Sequence, residues 1–151
     1  DILCHGQNTG SATATVTNGR PPYTFRWSNG TVITQSSNIH TVNNLAAGTN
    51  YVIVFSSDGC EIMDEVYINQ PQRKLNVRNI TVTDVSCNNG NNGSIVLDVE
   101  GGTTNYSYTW LPNVGSGAAI NNLVAGKYFV TITDANGCFI ADSALVKQPY
   151  E

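Results

Sequence analysis

The chain has 151 residues, of which only 12% are charged, and its formal net charge is −4. This balance leaves no basic face of the kind that binds nucleic acid or an anionic membrane. Hydrophobic residues make up 40% of the chain, which is enough for a buried core. The densest apolar run, YVIVF at residues 51–55, is far too short for a membrane span.

The first half of the chain alternates between short strand patterns and turns. SATATVT at residues 11–17 alternates apolar and polar side chains, NGRPP is a turn, and YTFRW at residues 23–27 alternates again. TVI, IHTV, the turn NNLAAG and the central run YVIVF follow, and CEIMDEVYI at residues 60–68 closes the series. Period-two alternation between turn residues is typical of antiparallel strands, and no helical period occurs.

The second half of the chain repeats the first. DILCHGQNTGSATATVTNGRPPYTFRW aligns without a gap on DVSCNNGNNGSIVLDVEGGTTNYSYTW. NNLAAGTNYVIVFSSDGC matches NNLVAGKYFVTITDANGC with one-residue adjustments near the tyrosine, which pair Tyr51 with Tyr128, and before the Asp/Asn-Gly-Cys. LNVRNITVT at residues 75–83 alternates like a strand but has no counterpart ahead of Asp1. We therefore predict two tandem domains, residues 1–72 and 73–151, cut from a longer array, with the opening strand of the first one missing.

Each repeat contains a series of short antiparallel strands, about seven in roughly 75 residues, which is the plan of a small sandwich. The predicted fold class is therefore all-β, with two tandem immunoglobulin-like or fibronectin-III-like antiparallel β-sandwiches. The linker between them, QPQRKLNV, is short and contains Pro71, so we expect it to be semi-rigid.

An aromatic stripe occurs at the same place in both repeats. Side chains at every second position of a strand share one face. We predict that these rings form the core, because a small sandwich needs large apolar side chains and immunoglobulin folds use a tryptophan on the third strand. The alternative is a sugar-binding platform on the surface. Tyr51 and Tyr128 are added to the predicted core because they follow NNLAAG and NNLVAG like the tyrosine corner of immunoglobulin folds, in which a hydroxyl bonds to the backbone a few residues upstream. The predicted core aromatics are therefore Tyr23, Phe25, Trp27, Tyr51, Tyr106, Tyr108, Trp110 and Tyr128.

Each repeat has two cysteines, at equivalent places. Four cysteines permit three pairings, and only bonds within a repeat let an array grow by copying a self-contained unit. We expect Cys4 to bond with Cys60 and Cys87 with Cys138, each bond contributing roughly 4 kcal/mol in the chain-entropy model. Such bonds imply an oxidising compartment outside the cytoplasm. A zinc site is the weaker alternative, because the CxxC spacing is absent and neither histidine recurs.

No set of catalytic residues recurs in the two repeats. Histidine is too scarce to act as a shared base, and NNGNNGS opens no helix that could hold a phosphate. Asp64 and Asp142 are equivalent and fall in the apolar phase of the last strand. We expect a bulge or a carboxylate satisfied by a nearby turn there, with a calcium ligand or cross-link partner as the alternative. DANG at residues 134–137 is first of all a hairpin turn, although it faintly resembles a calcium loop.

The motifs of the two repeats follow one order along nearly the whole chain. The first reads C…GSATATVTNGRPPYTFRWSNG…NLAAGTNYVIV…DGC…QP, and the second contains GSIVLDVEGG…YSYTW…NLVAGKYFVTITDANGC. This order resembles the SprB-type repeat of large Bacteroidetes cell-surface adhesins. The resemblance implies a very long repetitive adhesin, exported by the type IX route, displayed outside the outer membrane and, in the best-known case, moved along the surface during gliding. It implies no catalytic residues.

We therefore expect a non-enzymatic stalk or adhesive segment of an extracellular, cell-surface adhesin, linked to surface attachment or gliding motility, without metal or cofactor. The expected partners are neighbouring repeats of the same chain and a surface polysaccharide or other adhesion ligand, with no nucleic acid and no membrane insertion. Two alternatives stay open. One is a carbohydrate-binding module of a secreted protein, and the other is a filament subunit completed by a strand from the next chain.

Overall fold

The structure, a computed structural model, describes residues 1–150. The chain forms two compact units, of which unit 1 spans Asp1–Gln70 and unit 2 begins at Pro71. Each unit contains six β-strands, and no helix occurs among the described residues. The all-β fold class predicted from the alternating pattern is confirmed.

Unit 1 consists of two antiparallel sheets. Its strands, in chain order, are β1 (Gly10–Thr15), β2 (Tyr23–Trp27), β3 (Val32–Gln35), β4 (Ile39–Leu45), β5 (Gly48–Phe55) and β6 (Glu61–Ile68). One sheet pairs β1 with β4, and the other has the strand order β3-β2-β5-β6. Apolar side chains on the inner faces of the two sheets form the core, as in a sandwich.

Unit 2 also has two antiparallel sheets. Its strands are β7 (Asn76–Thr83), β8 (Gly93–Glu100), β9 (Ser107–Leu111), β10 (Ala119–Leu123), β11 (Gly126–Thr133) and β12 (Phe139–Val146). The sheets have the orders β10-β8-β7 and β12-β11-β9. β7 is the opening strand predicted from LNVRNITVT, and unit 1 has no equivalent of it. The other strands of unit 2 correspond to β1, β2, β4, β5 and β6 of unit 1.

Each unit has a hydrophobic core of its own. The buried core residues of unit 1 are Ile2, Tyr23, Phe25, Trp27, Val42, Leu45, Val52, Val54 and Ile68. Those of unit 2 are Leu75, Val85, Ile95, Leu97, Trp110, Ile120, Leu123, Tyr128, Val130, Ile132, Ala144 and Val146. Because each cluster draws only on residues of one unit, each unit carries the hydrophobic stabilisation for its own fold.

The repeated NNL sequence marks an irregularity in the smaller sheet of each unit. Asn44 has a φ of 60° and Asn122 a φ of 58°, a left-handed conformation that asparagine tolerates better than most residues. The register of the adjoining ladder shifts at this level, between Gly10 and Ala12 in unit 1 and between Ile120 and Leu123 in unit 2. The second asparagine of each NNL therefore has a backbone role.

Gly93 begins β8 where there is no room for a side chain. A Cβ atom there would lie 2.7 Å from Cγ1 of Val146 and 3.0 Å from the carbonyl oxygen of Leu123. Because core residues would have to shift, we expect Gly93→Ala to lower the free energy of unfolding of unit 2 by about 1–3 kcal/mol. Urea unfolding monitored by Trp110 fluorescence in a Trp27→Phe background measures this loss.

Gly126→Ala is the matched control, since a Cβ at the start of β11 would meet nothing within 4 Å. The control should change the free energy of unfolding by less than about 1 kcal/mol, because alanine mainly restricts the unfolded chain there. Equal losses in the two variants would contradict the packing described for Gly93.

Candidate functional site

The aromatic stripe of unit 1 lies inside the sandwich. Phe25 is 0% exposed, and Tyr23 and Trp27 are also buried. The Tyr23 hydroxyl donates to the carbonyl oxygen of Gly19 at 3.2 Å, and Nε1 of Trp27 donates to Nδ1 of His40 at 2.9 Å. The polar atoms of these rings are thus satisfied within the unit, and their faces are not open to a sugar.

The stripe of unit 2 is similar but less deeply buried. Trp110 is buried, and its Nε1 donates to the carbonyl oxygen of Gly117 at 2.9 Å. Tyr106 and Tyr108 are half-buried and pack against the core, and the Tyr106 hydroxyl donates to the Gly101 carbonyl at 2.7 Å. Burial raises the pKa of Tyr108 above its ordinary value, and the nearby Tyr106 adds to the effect. The stripe is a structural element in both units.

A tyrosine corner is present in unit 2 but has a different residue in unit 1. Tyr128 is buried, and its hydroxyl donates to the carbonyl oxygen of Val124, four residues upstream, at 2.9 Å. In unit 1 the buried Asn50 takes this place, and its Nδ2 donates to the carbonyl oxygen of Ala46, also four residues upstream, at 2.9 Å. In unit 1 the amide of Asn50 therefore makes the side-chain to backbone hydrogen bond that the phenol of Tyr128 makes in unit 2.

The prediction that Tyr51 is a core residue is wrong. Tyr51 is 44% exposed and pairs with Glu65 across the sheet. When β5 and β11 are aligned from Gly48 and Gly126, Asn50 is the equivalent of Tyr128, and Tyr51 is the equivalent of the exposed Phe129. Asn50 and Val52 therefore point inward, and Tyr51 points outward. Because side chains alternate along a strand, a one-residue shift in the alignment moved the tyrosine to the wrong face.

The two cysteines of unit 1 lie at opposite ends of its last strand. Near Cys4, the N–H of Gly6 donates to Oε1 of Gln70 at 2.8 Å, so this loop lies where the chain leaves the unit, which we call the exit end. Cys60 directly precedes β6 at the far end. Eight strand residues separate the two ends by roughly 25 Å, whereas disulfide-bonded Cα atoms lie within about 7 Å.

Unit 2 has the same arrangement. Near Cys87, the N–H of Asn89 donates to Oε1 of Gln148 at 3.0 Å, which places this cysteine at the exit end. Cys138 directly precedes β12 at the far end, again eight strand residues away.

The predicted pairings, Cys4 with Cys60 and Cys87 with Cys138, are therefore wrong. Cys60 and Cys87 carry free, exposed thiols, while Cys4 and Cys138 are disulfide-bonded. The physical reason is the length of the last strand, which holds the two cysteines of each unit too far apart to bond.

Asp134 is a buried carboxylate that organises the DANG turn. Its oxygens accept hydrogen bonds from the N–H groups of Thr103, Asn136 and Cys138, each at 2.9 Å. The turn closes with a bond from the Gly137 N–H to the Asp134 carbonyl at 3.1 Å. The carboxylate is thus an anchor for backbone donors, which agrees with the hairpin-turn interpretation. Sequence reasoning missed its burial, although an aspartate that opens a turn is the usual residue for bonding the backbone two positions on.

Asp64 and Asp142 are exposed residues of regular strands. Each accepts a hydrogen bond from the N–H of the next residue, Glu65 at 2.8 Å and Ser143 at 2.7 Å. The β5–β6 and β11–β12 ladders run without a register shift, so there is no bulge at either aspartate. Among residues 1–150, no group of three or more histidine, cysteine or acidic side chains is placed to hold a metal ion.

Unit 1 has an open groove of about 560 Å³ between β1 and β6. Ala12 and Ala14 of β1 line one side, Ile62 and Val66 of β6 line the other, and core residues such as Val54 contribute to the lining. The groove is confined to unit 1 and is largely apolar.

In unit 2 a strand occupies the equivalent place. β7 pairs with β8 along its whole length and also contacts β12. It covers side chains that are open in unit 1, since Val66 of β6 is 36% exposed whereas the equivalent Ala144 of β12 is 8% exposed. The groove is therefore a strand-shaped site, and it is the strongest candidate for binding in the described residues.

The family model for the SprB repeat matches two segments of the chain, residues 1–32 and 79–115. Both segments contain the exit-end cysteine and the aromatic stripe, so they are equivalent parts of the two units. Each unit thus contains a segment that is similar to the SprB repeat. The SprB match covers just under half of the chain, and it supports an adhesin-type repeat of a cell-surface protein family.

Several solved structures match the chain at low sequence identity. A C-terminal intimin fragment in complex with the intimin-binding domain of its translocated receptor is 14% identical, with a TM-score of 0.49, over 91% of this chain and 57% of that chain. The N-terminal immunoglobulin domains of the Down syndrome cell adhesion molecule are 14% identical, with a TM-score of 0.41, over 95% of this chain and 23% of that chain. The amphioxus IgVJ-C2 molecule is 15% identical, with a TM-score of 0.35, over 95% of this chain and 99% of that chain.

The chain thus spans a little over half the length of the intimin fragment. These identities and TM-scores are too low to transfer a function. A search of curated proteins finds no match. Among residues 1–150, no helix is long and apolar enough to cross a membrane.

Proposed function

We propose that the chain is a non-enzymatic stalk or adhesive segment of a long, secreted cell-surface adhesin that serves surface attachment or gliding motility. The observation that carries the proposal is the tandem SprB match, which falls on equivalent strands of two units that each close a core. Self-contained units that repeat along a chain are suited to building a long projection.

The composition of the surface supports the same function. Few side chains are charged, while Asn, Thr, Ser and Gly are abundant. The described residues have two ion pairs, Arg73 with Glu100 and Arg78 with Asp98, and both are exposed. Exposed pairs contribute little to stability, so the units depend on their cores and not on surface charges. Such a surface suits a hydrated spacer.

Antibodies raised against the chain test this proposal on intact cells of the source organism. We expect them to label cells that have not been permeabilised, and external protease should remove the label. Deleting the parent gene should reduce attachment to solid surfaces or the movement of cells along them. Labelling that requires permeabilised cells would refute a surface role, and normal attachment and movement of the deletion strain would refute the adhesive one.

A sugar site on the aromatic stripes is not supported, because Phe25, Trp27 and Trp110 are buried. The groove of unit 1 instead supports a second candidate function, the acceptance of a β-strand from another chain, as in strand complementation. The occupant we favour is a strand with the pattern of β7, because that strand fills the equivalent place in unit 2.

A synthetic peptide with the sequence of residues 74–83, KLNVRNITVT, tests strand acceptance. We expect the peptide to raise the unfolding midpoint of unit 1, since a ligand that binds only the folded state stabilises it by mass action. Trp27 fluorescence, in a Trp110→Phe background, measures the midpoint under reducing conditions. A control peptide with serine in place of Leu75, Val77, Ile80 and Val82 should have no effect. Equal effects of the two peptides, or none, would contradict this function.

A further inference from the structure

Neither free thiol has a second cysteine within bonding distance in its own unit. Cys60 lies at the far end of unit 1 and Cys87 at the exit end of unit 2, and both are exposed. The other cysteine of each unit lies roughly 25 Å away along the last strand. A disulfide to either thiol must therefore come from outside its unit.

The other two cysteines show that a cysteine at the exit end and a cysteine at the far end of a unit can each form a disulfide. Cys4 is the exit-end equivalent of Cys87, Cys138 is the far-end equivalent of Cys60, and both are disulfide-bonded. One bonded cysteine of each kind is thus found in this chain. The free thiols occupy the same two kinds of position.

We propose that Cys87 of one copy of the chain forms a disulfide with Cys60 of a second copy, so that repeats are joined head to tail by covalent bonds. In this step the two thiols lose their protons and two electrons, and one S–S bond forms. A disulfide oxidant such as oxidised glutathione accepts the electrons and is reduced to two thiols. A chain that is bonded through both thiols would link two other copies, which goes beyond an adhesive or spacer function.

The charges around Cys60 favour the mixed pair over a bond between two copies of Cys60. Cys60 is flanked by Glu61 and by the carboxylate of Asp58, to which the Ser56 hydroxyl donates a hydrogen bond. That bond holds the pKa of Asp58 below its ordinary value. Cys87 lies among serine and asparagine side chains. Pairing two copies of the Cys60 turn would bring four carboxylates together, whereas the Cys87 loop adds only Asp84, which accepts the Lys147 N–H at 2.8 Å.

Two single variants test the proposal, because each leaves one of the free thiols in place. Cys60→Ser retains Cys87, and Cys87→Ser retains Cys60, and both positions are exposed, so the units should fold normally. Each variant alone, and the two mixed in equal amounts, are incubated with oxidised and reduced glutathione. Non-reducing electrophoresis counts the dimers, and mass spectrometry of peptides identifies the bonded cysteines.

We expect at least a fivefold larger dimer yield in the mixture than in Cys87→Ser alone, which can pair only Cys60 with Cys60, and we expect the bond in the mixture to join Cys87 to Cys60. The unsubstituted chain should form a ladder of longer oligomers that collapses on reduction. Equal yields in the mixture and in the separate variants would overturn the proposal. So would the absence of dimers, or bonds that join either free thiol to Cys4 or Cys138.

Discussion

Replacing Phe25 with alanine should lower the free energy of unfolding of unit 1 by about 3–5 kcal/mol, the range found when a buried phenylalanine is truncated. Phe25 is fully buried at the centre of β2, between sheet neighbours β3 and β5. Its removal forfeits apolar burial and leaves a cavity that the rigid strands can close only in part. Urea unfolding followed by Trp27 fluorescence in a Trp110→Phe background measures the loss.

Tyr51→Ala is the matched control, an aromatic truncation on the neighbouring strand β5. Tyr51 is 44% exposed, so we expect its loss to cost less than about 1 kcal/mol. A cost as large as that of Phe25 would show that Tyr51 lies in the core, and a small cost for Phe25→Ala would contradict the burial of the stripe.

Asp134→Ala should lower the free energy of unfolding of unit 2 by about 2–4 kcal/mol, because hydrogen bonds to a charged group contribute more than neutral ones and buried donors are costly to leave unpaired. Three backbone N–H groups, of Thr103, Asn136 and Cys138, would lose their acceptor. Urea unfolding followed by Trp110 fluorescence in a Trp27→Phe background measures the effect.

Two further variants separate the role of Asp134 from a general effect of charge. Asp134→Asn keeps one acceptor oxygen and should cost less than the alanine variant. Asp142→Ala removes an exposed carboxylate that accepts one bond, from the Ser143 N–H, and should cost less than about 1 kcal/mol. Equal costs for Asp134→Ala and Asp142→Ala would contradict the anchoring role.

Local patterns in the sequence were sufficient to predict the strands. Alternation in YTFRW and in LNVRNITVT gave β2 and β7, because a sheet with one buried face requires that period. The repeat predicted which strand unit 1 lacks. The groove beside β1 could not be predicted in its dimensions, since its shape depends on how β6 packs when no strand covers it.

The errors came from quantities that a local pattern does not contain. The cysteine pairing depends on the distance between the two ends of β6 and of β12, and equivalent positions in two repeats carry no information about that distance. Which residue of β5 takes the tyrosine-corner position depends on which side chains of the strand point inward. An alignment shifted by one residue assigned that position to Tyr51 when it belongs to Asn50. The anchoring role of Asp134 depends on Thr103, which lies 31 residues away in sequence.

Each repeat closes its own core, so residues 71–151 should fold when they are expressed alone, and their unfolding measures this. In reducing buffer we expect one cooperative urea transition, with the blue-shifted emission of a buried Trp110 before it and red-shifted emission after it. Red-shifted Trp110 emission without a cooperative transition would show that unit 2 cannot fold on its own, and would contradict the account.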